Sequence, residues 1–304
     1  MTLSVEPPVA ATRRAPAGDA RTRDFYDRQG WRADEDGRLL DEHLFGKPSA
    51  THGPIQQRAH ERRFAGIRAF LAPSGPVGDL LEVGCGGNPE PNVVAVAERY
   101  VGVDFSTVGL DAANERLAHL AQRRQSDTPL VFRTQQADAV DLPFADGQFD
   151  AVYSAHMLYH ISDPAAQARA IAEMRRVLKP GGRLLLVLAN PRPLLWPSRL
   201  AKRVLADSPL ETLLRKLKGP SPLPYKPMRI SWHLATLRHA GLSDVRCTAY
   251  RMASTHTVQR LGETSTFGRK AWRTMDHLER TWPRIAARLG NYVEYRATLS
   301  AAGV

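Results

Sequence analysis

The stretch LLEVGCGGNPEPN, Leu80 to Asn92, decides how this chain is read. A short apolar run carries one carboxylate, Glu82, and ends in Gly84-Cys85-Gly86-Gly87. A buried strand that delivers its C-terminal end into glycines and then a helix builds a nucleotide-binding crevice. Glycine there lets the backbone approach a ligand that a Cβ would exclude. The dinucleotide fingerprint asks for glycine at its first, third and sixth positions. Gly84 and Gly86 satisfy the first two, but Pro89 stands at the last, which disfavours a pyrophosphate. Glu82 would also repel a phosphate and attract an ammonium. The expected ligand therefore carries positive charge near this strand and a ribose beyond it. Asn88 is expected to cap the next helix, with Pro89 at its first position, and Cys85 reads as a small turn residue.

Outward from the turn, strands and helices alternate. YVGVDFS (100–106) is a second strand ending in Asp104, roughly 20 residues on, where an acid hydrogen-bonds sugar hydroxyls. GLDAANERLAHLAQRRQ (109–125) has helical apolar spacing, and LVFRTQQAD (130–138) is a third strand. Its terminal Asp138 is placed to accept from an adenine amino group. FDAVYSAHM (149–157) is a fourth strand after the Asp146-Gly147 turn. Asp163-Pro164 opens a helix through Leu178, KPGG (179–182) ends it, and RLLLVLA (183–189) is a fifth strand. This alternation gives an α/β, Rossmann-like, mostly parallel sheet with helices on both faces.

Five segments follow. Residues 1–23 read as a disordered leader and 24–72 as a helical cap, helical around Phe25-Tyr26 and again over 55–72. The core is 73–190, and the proline-rich, basic 191–229 is an inserted lid. Over 230–304 the core resumes: Ser231 caps a helix ending near Gly241, DVRCTAY (244–250) and NYVEYRATL (291–299) are strands, and the helix 267–290 between them kinks near Pro283.

The 304 residues, 43% of them hydrophobic, suffice for a full core. No apolar run reaches the roughly 18 residues of a membrane span, and the leader lacks the apolar segment of a secretory signal. Two cysteines, Cys85 and Cys247, make no disulfide framework, so a reducing cytoplasm is expected. No Cys/His spacing suggests a metal. The net charge of +11 fits nucleic acid, an acidic membrane surface or a phosphorylated substrate. It fits solvated Arg-rich faces as well, and part of it lies in the leader.

LLEVGCGGN, VGVDFS, QADAVDLPFADGQFDAVYSAHMLYHI and MRRVLKPGGRLLLV resemble the successive motifs of class I S-adenosylmethionine-dependent methyltransferases. The likeness is greatest to the broad branch that holds the ubiquinone- and menaquinone-biosynthesis enzymes. It covers 80–190 closely and 230–300 loosely. The resemblance implies a seven-stranded sheet with an antiparallel last strand, S-adenosylmethionine as cofactor and S-adenosylhomocysteine as product. By position it assigns Glu82, Gly84, Cys85 and Gly86 to the methionine side of the cofactor and Asp104 to the ribose. Phe105 would lie against the adenine, with Asp138 and the Ala139 backbone at its edge. Ser154 and Ala155 would contact the methionine portion, and Tyr26 would cap the cofactor.

Methyl transfer from a sulfonium needs alignment and desolvation, plus a base where the nucleophile arrives protonated. SAHMLYHI offers His160 and His156 as base candidates and Tyr159 as a substrate contact. The alternative for His160 is a hydrogen-bonding role at the helix start. Trp196 in the lid is the second substrate candidate. The Asn/Asp-Pro-Pro-aromatic motif of amino-directed nucleic-acid enzymes is absent, and no acid cluster suggests magnesium. An O, N or C atom of a small or lipid-like acceptor remains, plausibly in specialised (secondary) metabolism. The apolar and basic lid suits an amphipathic or anionic acceptor, a membrane interface, or an ordinary solvated face. The rivals are an RNA methyltransferase, though no RNA-binding module is evident and a nucleic-acid partner is disfavoured, and an inactive cofactor-binding partner subunit.

Overall fold

The computed structural model describes residues 20–31, 53–124, 128–193, 224–253 and 262–301. Most of the expected leader and lid, Trp196 included, lies outside the described residues.

Seven strands form one sheet: β1 (Val77–Val83), β2 (Ala97–Asp104), β3 (Val131–Gln136), β4 (Phe149–Ala155), β5 (Leu178–Ala189), β6 (Leu242–Arg251) and β7 (Tyr292–Leu299). Their order is β3-β2-β1-β4-β5-β7-β6. β7 runs antiparallel to both β5 and β6, as expected of the last strand. β6 is thereby returned to the direction of β5, and its C-terminal end reaches the edge where the parallel strands end. The strand order reverses between β1 and β4, the switch point at which open α/β sheets bind ligands.

The core strands read as near-continuous apolar runs because both faces are covered. In β1, Val77 and Leu80 join one buried layer while Leu81 and Val83 join the other. Phe64, Ile67 and Leu71 of α2 (Pro54–Leu71) and Leu117 of α4 (Thr107–Arg123) close the first layer. Ala170, Ile171 and Met174 of α5 (Pro164–Arg176) and Leu237 of α6 (Ile230–His239) close the second. A short α1 (Ala20–Phe25) leads into a π-turn at Tyr26–Gly30, α3 is the single turn Pro91–Val94, and α7 (Thr266–Thr281) breaks before Pro283 into α8 (Pro283–Leu289). Among the described residues no helix is long and apolar enough to cross a membrane.

Three local expectations are corrected. Asn88 caps no helix: α3 begins at Pro91, and Glu90 caps it by accepting from the Asn92 N–H. Ser231 lies inside α6, whose cap position is Arg229, without a side-chain cap bond. Residues 179–182 do not end a helix but sit within β5. The pairing register jumps from Phe149–Leu178 to Ala151–Arg183, so the extra residues bulge out around Gly181, whose φ is +80°.

Candidate functional site

Two cavities, about 200 and about 310 Å³, meet at the C-terminal edge of the sheet and share Gly84, Asp104, Phe105, Met157 and His160. The glycine turn forms their common floor. Gly84 and Gly86 have φ of +76° and +52°, a region that costs other residues strain. A Cβ on Gly84 would lie 2.5 Å from Met157 Cγ, and one on Gly86 would overlap the Trp31 indole. The amides of Gly84 and Cys85 both donate to the Val103 carbonyl, at 2.8 and 3.1 Å, and Gly86 N–H donates to Asp104 at 2.9 Å. These donors are turned into the protein, which agrees with a site not built for pyrophosphate.

Asp104 ends β2 and accepts from the backbone N–H of Gly86 and of Ser106, so its carboxylate is fixed in place. Burial raises its pKa to about 6 despite those bonds. Each oxygen keeps acceptor capacity for a ligand hydroxyl. Glu82 accepts from Tyr100 Oη at 2.7 Å and from Glu90 N–H at 3.4 Å, and burial pushes it up to about 8. Cys85 faces the first cavity, and burial pushes its thiol up, away from nucleophilic use.

The second cavity is bounded by Val103, Phe105, Ala137, Ala139 and Val140, with Asp138 at its edge. Asp138 Oδ1 accepts from Val140 N–H, while Oδ2 is buried with no hydrogen-bond partner among the described residues. An apolar slot with one orphaned acceptor fits a heterocycle that presents an amino group. The site thus passes the test of fit for an adenosine-bearing cation.

Tyr26 lines the first cavity, stacked on Trp31 with ring centroids 5.3 Å apart and edge-on to Phe105 at 6.2 Å. Asp27 anchors this π-turn by accepting from Ser106 Oγ at 2.5 Å. Ser154 stands apart from both cavities. It is fully buried and donates to the Val83 carbonyl at 2.7 Å, tying β4 to β1. Tyr159 is buried as well, between His160 and Tyr225, and lines neither cavity.

The two histidines differ. His160 lines both cavities; its Nδ1 lies 3.0 Å from the Pro224 carbonyl and its Nε2 3.4 Å from Tyr26 Oη. Burial lowers its pKa. His156 has a left-handed backbone, φ 60°, and sits among Tyr159, Tyr250 and Tyr292. Burial first, then Arg251 and His160, push it down to about 3, so it stays neutral and is a weak base.

The first cavity also takes His60, Arg63 and Phe64 from α2, Glu90 from the cap of α3, Tyr153 from β4, and Tyr250 and Arg251 from the end of β6. Glu90 and Tyr153 lie within the quoted stretches, and the others lie in no motif. The antiparallel β7 brings in Tyr250 and Arg251, since Arg251 pairs with Tyr292 and Tyr292 with Ala189 at the same sheet edge. Among the described residues no cluster of three or more His, Cys, Asp or Glu could hold a metal.

Residues 81–186 match the family described as "Methyltransferase domain". A 27-O-demethylrifamycin SV methyltransferase from Amycolatopsis mediterranei is 37% identical over 110 residues, 35% of this chain and 37% of that protein. A demethylmenaquinone methyltransferase from Thermus thermophilus is 41% identical over 96 residues, 32% of this chain and 41% of that protein. The chain thus spans less than half the length of these curated relatives. Among solved structures, a Haemonchus contortus phosphoethanolamine N-methyltransferase in complex with S-adenosyl-L-methionine superposes with a TM-score of 0.54 at 19% identity. That match covers 94% of this chain and 61% of the other. It is a likeness of fold.

Proposed function

We propose, on the premise that residues 81–186 are a methyltransferase domain of the class I S-adenosylmethionine-dependent kind, that the whole chain methylates a small organic acceptor of specialised metabolism. The observation that carries this is the pair of cavities meeting over Gly84, with buried Glu82 and Asp104 at the ends of β1 and β2 and half-buried Asp138 two residues beyond β3. Asp138 and the Ala139 backbone would hold the adenine edge, Asp104 the ribose hydroxyls, and Glu82 the ammonium, with Phe105 and Tyr26 covering the nucleoside. Bound there, the cofactor supplies an activated methyl group, and its sulfur keeps the electron pair of the broken bond.

The chain's own residues do the rest. Tyr26, Trp31 and Phe105 exclude water from the junction of the cavities. His160 is fixed by Pro224 so that its neutral Nε2 faces the junction, where it takes the proton of an incoming hydroxyl. His156 acts as wall rather than as base. The free thiols Cys85 and Cys247 suit a reducing cytoplasm. The rifamycin relative supports the metabolic setting, though its own acceptor is not carried over.

The test is incubation with methyl-labelled S-adenosylmethionine and an extract of the producing cells. Label is expected in small molecules. Label confined to RNA or protein, or none despite measured cofactor binding, refutes the reading.

A further inference from the structure

The first cavity is lined by two guanidinium groups. Arg63 comes from α2 and lies over the Tyr250 ring at 5.0 Å; Arg251 ends β6 and lies over the Tyr292 ring at 5.0 Å. Arg63 lies 3.8 Å from Glu279 and also interacts with the buried Glu294 carboxylate. Arg251 hydrogen-bonds the Tyr292 side chain, and Arg63 acts on it as a like charge. The acids that also line this cavity are engaged elsewhere: Glu82 accepts from Tyr100 and Glu90 N–H, and Glu90 accepts from Asn92. Two cations lining a ring-lined cavity focus a positive field into it.

His160 and Tyr26 stand where this cavity meets the second, and a run of ring contacts links them to Tyr292 beneath Arg251: Tyr292 to His156 at 4.9 Å, His156 to Tyr159 at 6.3 Å, Tyr159 to His160 at 4.6 Å. Phe64, Tyr153 and Tyr250 line the same cavity. A guest in this cavity therefore meets guanidinium groups, aromatic faces and a neutral histidine.

We propose that the methyl acceptor is a small aromatic anion bearing a hydroxyl, its charge held by Arg251 with Arg63 and its hydroxyl turned to His160. This rests on the methyl-transfer reading above and narrows its substrate class. The guanidinium forks suit a carboxylate or phosphate bidentately. Burial and Arg63 both hold the Arg251 pKa below its ordinary value, a cost that a bound anion relieves. In the reaction the hydroxyl proton passes to His160 Nε2, the hydroxyl oxygen bonds the methyl carbon, and the carbon–sulfur bond breaks to leave a neutral thioether.

The test is calorimetry on the protein saturated with S-adenosylhomocysteine, titrated with para-hydroxybenzoate and para-hydroxycinnamate and with the neutral amide of each. At least one carboxylate is expected to bind at least about tenfold more tightly than its amide, since a charge-assisted pair is worth about 1.5–3 kcal/mol. Arg251→Gln should abolish that preference, Arg251→Lys should restore part of it, and neither should change affinity for S-adenosylhomocysteine. Equal binding of acid and amide, or no binding of either pair by a protein that binds S-adenosylhomocysteine, overturns the proposal. So does a loss of S-adenosylhomocysteine affinity in Arg251→Gln, which would give that guanidinium to the cofactor's own carboxylate. Failure of the parent protein to bind S-adenosylhomocysteine would instead strike the methyltransferase reading.

Discussion

Tyr26 Oη lies 3.4 Å from Nε2 of His160, on the side of the ring opposite the Pro224 carbonyl. A carbonyl only accepts, so Nδ1 carries the proton and the Nε2 lone pair accepts from Tyr26 Oη at the cavity junction, a long bond that an acceptor hydroxyl would replace. Burial lowers the pKa, so the basic form persists below the ordinary histidine value of about 6.5. The acidic limb of kcat should fall below that value. His160→Gln should cut kcat by about 10²–10⁴-fold and leave cofactor affinity near that of the parent. A pH–rate profile unchanged in the variant removes His160 as the base.

Glu82 makes a second prediction. Burial holds it up to about 8, so at neutral pH without cofactor it is mostly protonated. A cation against it favours the ionised form, so binding S-adenosylmethionine should release a proton from Glu82 and should strengthen as pH rises from about 6 toward 8. Calorimetry in buffers of different ionisation enthalpy measures this. Proton uptake, or pH-independent affinity over that range, contradicts the placement of the charged tail.

Stability should fall in acid because two histidines are buried. His233 packs against Tyr295, and burial pushes it down to about 3, like His156. The unfolded chain protonates these rings near 6.5 while the folded chain keeps them neutral. Their contribution is complete above 6.5 and is lost as pH falls toward 3, at about 1.4 kcal/mol per pH unit for each ring. Urea unfolding at pH 7 and pH 5 should show the loss, and His233→Leu should flatten the slope. A slope unchanged in that variant excludes His233 as its source.

The strand–helix alternation and the acids at strand ends were legible because each is local: period, glycine spacing and strand length are written in consecutive residues. The caps were less so. Asn88 and Ser231 are good capping residue types, yet Glu90 caps α3 and α6 starts without one, since packing sets where a short helix begins. Ser154 stands at a strand end beside the turn, but its hydroxyl turns inward to Val83. Arg63 and Arg251 could not be found at all from their neighbours in sequence. They meet only because β7 reverses the sheet direction and carries the end of β6 to the ligand edge.

Gly86 tests the turn itself. Its φ of +52° and its contact with the Trp31 indole leave no room for a side chain. Gly86→Ala should destabilise the fold by roughly 1–3 kcal/mol and weaken cofactor binding. Trp31→Gly in the same chain should recover the steric part only, because the backbone strain remains. Thermal unfolding of the single and double variants separates the two, and a Gly86→Ala protein as stable as the parent contradicts the geometry.

Asp104, Glu82 and Asp138 together are expected to hold S-adenosylmethionine at the switch point. Titrating the cofactor into the parent chain and into Asp104→Ala, with folding checked by circular dichroism, tests it most directly. One site per chain is expected in the parent, with affinity at least about tenfold lower in the variant from the lost charge-assisted bonds to the ribose. Equal affinity in the two folded proteins would contradict the account.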